Sequence, residues 1–536
     1  MEFLNKMIII RKFIVLIDSR FFGGNLKKIH RIVTSLSIIP TKGIFFLRNK
    51  VEIHLSLNDL MLSQFKNGGF IHSDIVVKKE AILNFTSNKK NPFALYEEMQ
   101  LKRVGKNWNE RFTALIKSYL HKGYLSDSFI QVDKNLVITN GSHRAALALF
   151  GGDRYITVEM YNKIHSLDYG IEWFKRNNFN KKDIEFIGKK TQELFKSNSY
   201  EYIATIWDPC SAYFDEIVSE IESFEKTTVT EVISLSLSKK QYEGFVRGMY
   251  FTDDVSTENI ERKISLFKRL HNTESENYEL KIVKLAFKDN TFRVKPGFLK
   301  LQSLESMRLK KDIRNKYKER VKGYMHDVVF HITDNFHQSE FCNTMISVVS
   351  EDFKDLFEKL SGYSYSTIKL ENARQAEKFP EAYMLKSDID LIVDFNQYIE
   401  VKNLIENYLD EKFNNPRFEI KIHEDKLGAK LRVELDNFLI FQFHLQHEIE
   451  GIKLEVLKKT IELSLTSEKY KLKIPPIKYE MVYRFHEVFN NPRKEWHLEY
   501  IREYRENINK KLIKKTFSNA HDFEMIIKRI NCNLLK

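Results

Sequence analysis

The sequence predicts a multidomain α+β protein. Three observations carry that prediction: the chain is long, its apolar runs are short, and their period changes repeatedly. At 536 residues it should divide into about three domains of ~150 residues each. Apolar runs of roughly four to eight residues alternate with longer stretches at helical spacing, as expected where strands and helices share a core. A hydrophobic fraction of 43% with only 19 Gly and 9 Pro is enough to bury such cores, and a disordered chain is excluded.

Residues 1–69 read as a strand-containing extension. Gly43–Leu47 and Val51–Leu55 are strand-like, and Lys66-Asn-Gly-Gly69 is a turn and a candidate boundary. Residues 70–165 form a first domain. Asp74–Val77 is a strand candidate, Tyr96–Arg103 is helical, and Trp108–Phe112 opens another helix. That helix carries Leu115, Ile116 and Leu120 at helical spacing and ends at Gly123. Phe129–Val132, Leu136–Thr139 and Tyr155–Met160 are short strands.

Between the last two strands lies Asn140-Gly141-Ser142-His143-Arg144, followed by helix formers to Phe150 and a Gly151-Gly152 stop. Ser142 is placed to cap the helix, and the glycines can end it in a left-handed conformation. A strand, a tight turn and a short helix leave unpaired N–H groups at the helix start. The helix dipole favours an anion at the same place. His143 and Arg144 add side-chain donors suited to phosphate.

This turn resembles the Asp-Gly-x-His-Arg signature of the ParB/sulfiredoxin-like superfamily, and the likeness covers roughly residues 70–165. The resemblance implies an α+β domain that binds nucleotide phosphate here, in a family of partition proteins, sulfiredoxins and small-molecule kinases. Asn140, Gly141, Ser142, His143 and Arg144 are then the nucleotide-binding residues. Asn140 stands where the signature is acidic. The turn holds no cysteine, so sulfiredoxin chemistry is not expected. A kinase of this fold needs a carboxylate to accept the proton of the attacking hydroxyl. Glu97 and Glu98, with Glu110, precede the turn and are the candidates.

Residues 166–200 read as a helical connector, with Tyr169–Lys175 and Asp183–Lys196 as its helices. Residues 201–350 read as an α/β middle region. Its strands are Ile203–Trp207, Val232–Leu237 and Leu280–Phe287, and Leu304–Arg320 is a helix. Val328–Thr333 is a strand that breaks into a polar turn. His331, Asp334 and Asn335 at its end form a second candidate site, for a polar ligand or a metal. Asp253, Asp254 and Arg293 could converge with them.

Residues 351–460 begin with helix Phe353–Leu360. In the strand Tyr383–Val393, Asp388 and Asp390 stand two apart, so both carboxylates face one side. Such a pair can hold Mg²⁺ together with triphosphate oxygens. Helix Tyr398–Leu409 follows, then strands Arg417–Ile422, Ala429–Leu435 and Phe438–Leu445. Ser387-Asp388-Ile389-Asp390-Leu391 is similar to the Asp-x-Asp element of the polymerase-beta-like nucleotidyltransferases, and the strand–helix–strand order fits them. The resemblance implies Asp388 and Asp390 as catalytic metal ligands. Two departures stand out. No glycine occurs between Gly362 and Gly428, where the family carries Gly-Ser. The later strand offers Gln442 or His444 where a third carboxylate is expected, with Glu434 and Asp436 as imperfect substitutes.

Residues 461–536 read as a basic helical tail. The net charge is +13, and residues 451–536 hold 19 Lys and Arg against 11 Asp and Glu. A basic tail suits nucleic acid, anionic lipid or phosphorylated substrates. Cys210, Cys342 and Cys532 are scattered, which argues for a reducing compartment and against a disulfide or zinc framework. The apolar runs at 7–10 and 13–17 are broken by Arg11, Lys12, Asp18 and Arg20. Neither run reaches the ~20 residues of a membrane span, and no small-residue cleavage site marks a signal peptide. The expected location is cytoplasmic, with peripheral membrane contact as the alternative. Walker A, zinc-finger, serine hydrolase and Rossmann fingerprints are all missing.

These readings lead to a nucleotide-binding phosphotransferase of the ParB-like kinase type. It would use Mg²⁺ and a nucleoside triphosphate or diphosphate and act on a small hydroxyl or sugar substrate. The nucleotidyltransferase-like module would be accessory, and the pair of resemblances implies surface-polysaccharide or modified-sugar synthesis. The alternative is a ParB-like nucleic-acid-associated protein, a partition, nuclease or defence factor. That alternative predicts steep salt dependence of binding, whereas under the favoured reading any DNA binding is weak and nonspecific and driven mainly by residues 451–536.

Overall fold

The computed structural model describes residues 50–516 except 67–68, 124–128, 162–163, 165–167, 226, 254, 272–274, 276, 289, 295–300, 322–327, 350–352, 370–386, 469–470 and 492–494. The expected strand Gly43–Leu47, residue Asp254, the start of the Asp-x-Asp strand at 383–386 and the tail beyond 516 lie outside the described residues. The protein is mixed α+β. No helix among the described residues is long and apolar enough to cross a membrane.

The first sheet contains β1 (Lys50–Ser56), β2 (Ile130–Val132), β3 (Ile138–Asn140) and β4 (Tyr155–Tyr161), in the order β1-β4-β2-β3. β4 runs parallel to β2, and the outer pairs are antiparallel. The strand ahead of the 66–69 turn therefore belongs to the same sheet as the residues after it. Five helices surround this sheet: α1 (Leu57–Leu62), α2 (Ser73–Thr86), α3 (Ala94–Val104), α4 (Asn109–Lys122) and α5 (Ser142–Gly151). Helices Ile171–Arg176 and Lys181–Asn198 add Phe174, Ile187 and Leu194 to the same core.

The expected strand Asp74–Val77 is instead the first turn of α2. Ile75-Val76-Val77 has strand propensity, but propensity is a weak prior beside tertiary burial. In the helix Ile75, Val76, Ala81 and Ile82 all reach the core. Asp74 then lies in the first turn, where the helix dipole favours its charge.

The middle sheet has β5 (Tyr202–Ile206), β6 (Thr227–Ser238), β7 (Asn277–Phe287) and β8 (Phe330–Ile332), in the order β8-β5-β7-β6. Every neighbouring pair is antiparallel. This corrects the α/β expectation for 201–350. Helices do separate the strands, but only β6 and β7 are joined as antiparallel neighbours. The connections β5 to β6 and β7 to β8 each pass over one strand, so no two parallel strands lie side by side.

The third sheet has β9 (Tyr365–Ile368), β10 (Ser387–Val393), β11 (Phe418–Glu424), β12 (Gly428–Leu435) and β13 (Phe438–Gln446). Its order is β9-β10-β13-β12-β11, and only β10 and β13 pair in parallel. Helix Tyr398–Lys412 lays Val401, Ile405 and Leu409 against Ile389, Leu391, Phe441 and Phe443. The same core runs through Phe341 and Met345 of helix Phe336–Val349 to Ile203, Trp207 and Leu280 of the middle region. Helix Ile477–Asn490 and the residues after it close over Ile368 and Ile392. Part of the basic tail is thus folded core.

Candidate functional site

α5 begins at Ser142, and Gly141 is its N-cap with φ +96°. That left-handed backbone favours glycine, which has no Cβ to clash. A Cβ at 141 would also come within 3.0 Å of Ile130 Cα. Ser142, the expected cap, sits one position inside the helix, and its hydroxyl accepts from Lys78 Nζ at 2.6 Å. Asn140 Nδ2 donates to Gln131 Oε1 at 3.2 Å, and Arg144 Nη1 donates to the Phe129 carbonyl at 2.7 Å. The His143 Nε2 and Tyr96 hydroxyl are 2.9 Å apart, and the His143 ring meets Phe112 edge-on. Burial, with Lys78 next, holds the His143 imidazole well below its usual pKa. It is therefore neutral near pH 7.

All five turn residues line one cavity of about 590 Å³. Its other walls come from α3, α4 and the approach to α2, and include His72, Tyr96, Arg103, Trp108 and Arg111. Arg103, Arg111 and Arg144 give the cavity three guanidinium groups, and no carboxylate lines it among the described residues. Trp108 keeps 37% of its surface exposed, with the Arg111 guanidinium 5.2 Å from its ring.

Beneath the cavity lies Asp74, with a side chain 1% exposed. It pairs with Lys78, with Arg103 Nη1 at 3.0 Å and with His72 Nδ1 at 3.2 Å. Burial alone would raise its pKa, but Lys78, His72 and Arg103 hold it well below the carboxylate range. Lys78 is fully buried, and burial lowers its own pKa against the pull of Asp74. A buried charge persists only when paired in this way.

Glu97 and Glu98 are elsewhere. Glu97 accepts from Asn107 and from Asn109 at 3.3 Å, and Glu98 pairs with Lys102 at 2.6 Å. Neither lines the cavity, and Glu110 does not either.

The middle-region candidates divide between two sets of contacts. The His331 and Tyr250 rings meet at a tilt of 56° with centroids 4.5 Å apart. Burial, then Lys310, Arg314 and Lys263, push its pKa well down. Asp334 accepts from Ser306 Oγ at 3.1 Å, Lys310 Nζ at 3.1 Å and Gln302 Nε2 at 3.3 Å. Arg293 reaches Asp334 only through Gln302, at 3.1 Å. Asn335 accepts from the Gln338 N–H and donates to the Leu301 carbonyl, both at 3.1 Å. Its side chain thus serves the start of helix Phe336–Val349.

On the third sheet, β10 sets Asp388 against Gln442 and Asp390 against His444 of β13. Gln442 Nε2 donates to Asp388 at 2.9 Å, and His444 Nδ1 lies 3.1 Å from Asp390. Lys369 Nζ is 3.2 Å from Asp390 and 2.8 Å from Glu487. Burial opposes the charge on Asp390, but Lys369 and then His444 keep its carboxyl well below its usual range. Glu434 is taken by Lys421 and Arg432, and Asp436 by Arg417. No group of three His, Cys, Asp or Glu side chains among the described residues converges as metal ligands do. The Lys369 ammonium already neutralises Asp390, so the pair does not fit a shared Mg²⁺ in this arrangement.

Arg103 and Arg111 stand out in the sequence only as charges near the turn, and His72, Lys78 and Trp108 carry no motif. One signal was legible: His72-Ser73-Asp74 before an apolar run, with Lys78 four residues after Asp74, is a helix start with an internal ion pair. No family model, curated protein or solved structure matches the chain.

Proposed function

We propose that the cavity beside Gly141–Arg144 binds a nucleoside triphosphate, and that the chain transfers its terminal phosphoryl group to a small hydroxyl substrate. One observation carries this reading: a glycine-capped helix start and three arginines share a cavity with no described carboxylate. The first N–H groups of a helix lack intrahelical partners and attract phosphate. Arginine meets phosphate through two parallel hydrogen bonds. Trp108 offers a partly exposed ring on which a base can stack. The resemblance of Asn140–Arg144 to the ParB/sulfiredoxin-like signature supports the same ligand. Mg²⁺ would serve by neutralising the nucleotide's phosphate charge. The described cavity wall has no carboxylate to hold it. The third sheet stands in this reading as an accessory module resembling the nucleotidyltransferases.

A thermal-shift screen of ATP, ADP, CTP and GTP with Mg²⁺ tests the binding. A ligand that binds only the native state raises the melting temperature with concentration. Arg144→Ala should weaken nucleotide binding by roughly 1.5–3 kcal/mol, the worth of a charge-assisted hydrogen bond. A wild-type chain whose melting temperature no nucleotide moves would refute the reading.

A further inference from the structure

We propose that His72, oriented by Asp74, is the general base of this phosphoryl transfer. The proposal rests on the nucleotide-binding reading and supplies what that reading lacks, a proton acceptor on the cavity wall. His72 is 2% exposed and lines the cavity. Its Nδ1 lies 3.2 Å from Asp74 Oδ1. Its Nε2 is buried and has no hydrogen-bond partner. An ionised carboxylate can only accept, so in the neutral imidazole Nδ1 carries the hydrogen and Nε2 keeps its lone pair. A buried ring nitrogen without a partner is costly. A substrate hydroxyl in the cavity would remove that cost.

The surroundings favour His72 over its neighbours. Asp74 itself is engaged by Lys78 and Arg103. His143 Nε2 faces the Tyr96 hydroxyl. Glu97 and Glu98 are outside the cavity. A polar chain runs from Ser142 through Lys78 and Asp74 to His72. It ties the orientation of the imidazole to the phosphate-type turn. The backbone assists as well: His72 is the N-cap residue of α2, and its carbonyl accepts from the Ile75 N–H at 2.9 Å. Of the charged groups near it, Asp74 of α2 meets its ring and in turn pairs with Lys78 of α2 and Arg103 of α3, and Arg103, Arg111 of α4 and Arg144 of α5 share the cavity wall with it. The Tyr169 ring lies 6.4 Å away. The cations would stabilise the transferring phosphoryl group, and Asp74 would stabilise the imidazolium.

In the step itself, the acceptor hydroxyl gives its proton to His72 Nε2. The acceptor oxygen forms a bond to the terminal phosphorus. The bond from that phosphorus to the bridging oxygen breaks, and its electron pair leaves on the nucleoside diphosphate. The imidazolium returns the proton to water once the products have gone.

The test uses the full chain, ATP with Mg²⁺, and a panel of free sugars and polyols as acceptors. ADP release gives turnover, and a non-hydrolysable ATP analogue gives the binding constant. His72→Gln should leave analogue binding within about threefold and lower turnover by roughly 10²-fold or more, the usual worth of a general base. If His72→Gln folds poorly, His72→Asn carries the same test, because its amide can still reach Asp74. Wild-type turnover in either folded variant would overturn the proposal. So would radioactive phosphate retained on the denatured wild-type protein, or a wild-type chain that binds the analogue but releases no ADP with any acceptor. A wild-type chain that binds no analogue fails at the earlier step and removes the nucleotide reading together with this one.

Discussion

The turn at Gly141–Arg144 and the strand at Asp388–Asp390 are both polar motifs beside a sheet, yet the protein treats charge in opposite ways around them. Around the turn, Arg103, Arg111 and Arg144 line a cavity with no described carboxylate. The charge that balances part of them, Asp74, is buried below. Around the strand the less exposed carboxylate meets its opposite: Asp390 takes Lys369, and Lys369 also takes Glu487, while the exposed Asp388 accepts from the Gln442 amide. A surplus of one sign facing a cavity is available to a ligand. A closed ion-pair network is already spent. Asp59 of α1 makes a third case. It accepts from the Tyr200 hydroxyl at 2.7 Å and the Phe336 N–H at 3.2 Å, with no cation among these partners. Burial there pushes its pKa up to about 6, while the paired Asp74 and Asp390 are held low.

The largest expected effect tests whether the strand network is structural. Lys369→Met leaves Asp390 and Glu487, 11% and 18% exposed, without their shared cation. Breaking a mostly buried pair costs roughly 3–5 kcal/mol. Urea denaturation of wild type and variant measures it, and a loss under about 1 kcal/mol would mean that the network is dispensable.

Asp59 sharpens the contrast through pH. Its folded pKa of about 6 lies above the ordinary 3.8, so the folded state binds this proton more tightly than the unfolded chain does. The stabilisation is fully present below about pH 3.8 and is lost as pH rises through about 6. Its size is on the order of 3 kcal/mol. Asp59→Asn should remove that component from the difference in stability between pH 4.5 and pH 7. An unchanged difference would show that the carboxyl is not held neutral.

The smallest effect concerns the cavity. Trp108→Ala should weaken nucleotide binding by roughly 1–3 kcal/mol, the worth of a stacked base, and leave inorganic phosphate binding unchanged. Titrations with ATP and with phosphate separate the two. Equal losses for both would place Trp108 in the fold rather than against a base.

Much of the local structure was legible. The spacing of Leu115, Ile116 and Leu120 reads as the helix that α4 is. Gly151-Gly152 reads as the stop that ends α5, with Gly152 left-handed. Alternation along Ser387–Val393 reads as a strand with Asp388 and Asp390 on one side, and Ile389 and Leu391 in the core behind it. The misreadings share one cause. Ile75-Val76-Val77 has strand propensity but packs as helix, and the middle strands look like an α/β series but pair antiparallel. In each case partners distant in sequence decided the outcome.

The sequence by itself determined the mixture of strands and helices, the glycine at the turn and the spacing of its polar residues. These follow from backbone geometry over a few residues. Only the tertiary structure decided which charges face a cavity and which are closed into ion pairs away from one. It brings His72, Arg103, Trp108 and Arg144 to one cavity, and it sets Lys369 between Asp390 and Glu487. Coulomb attraction and desolvation depend on separation in space and on burial, and neither is written in the spacing of residues along the chain.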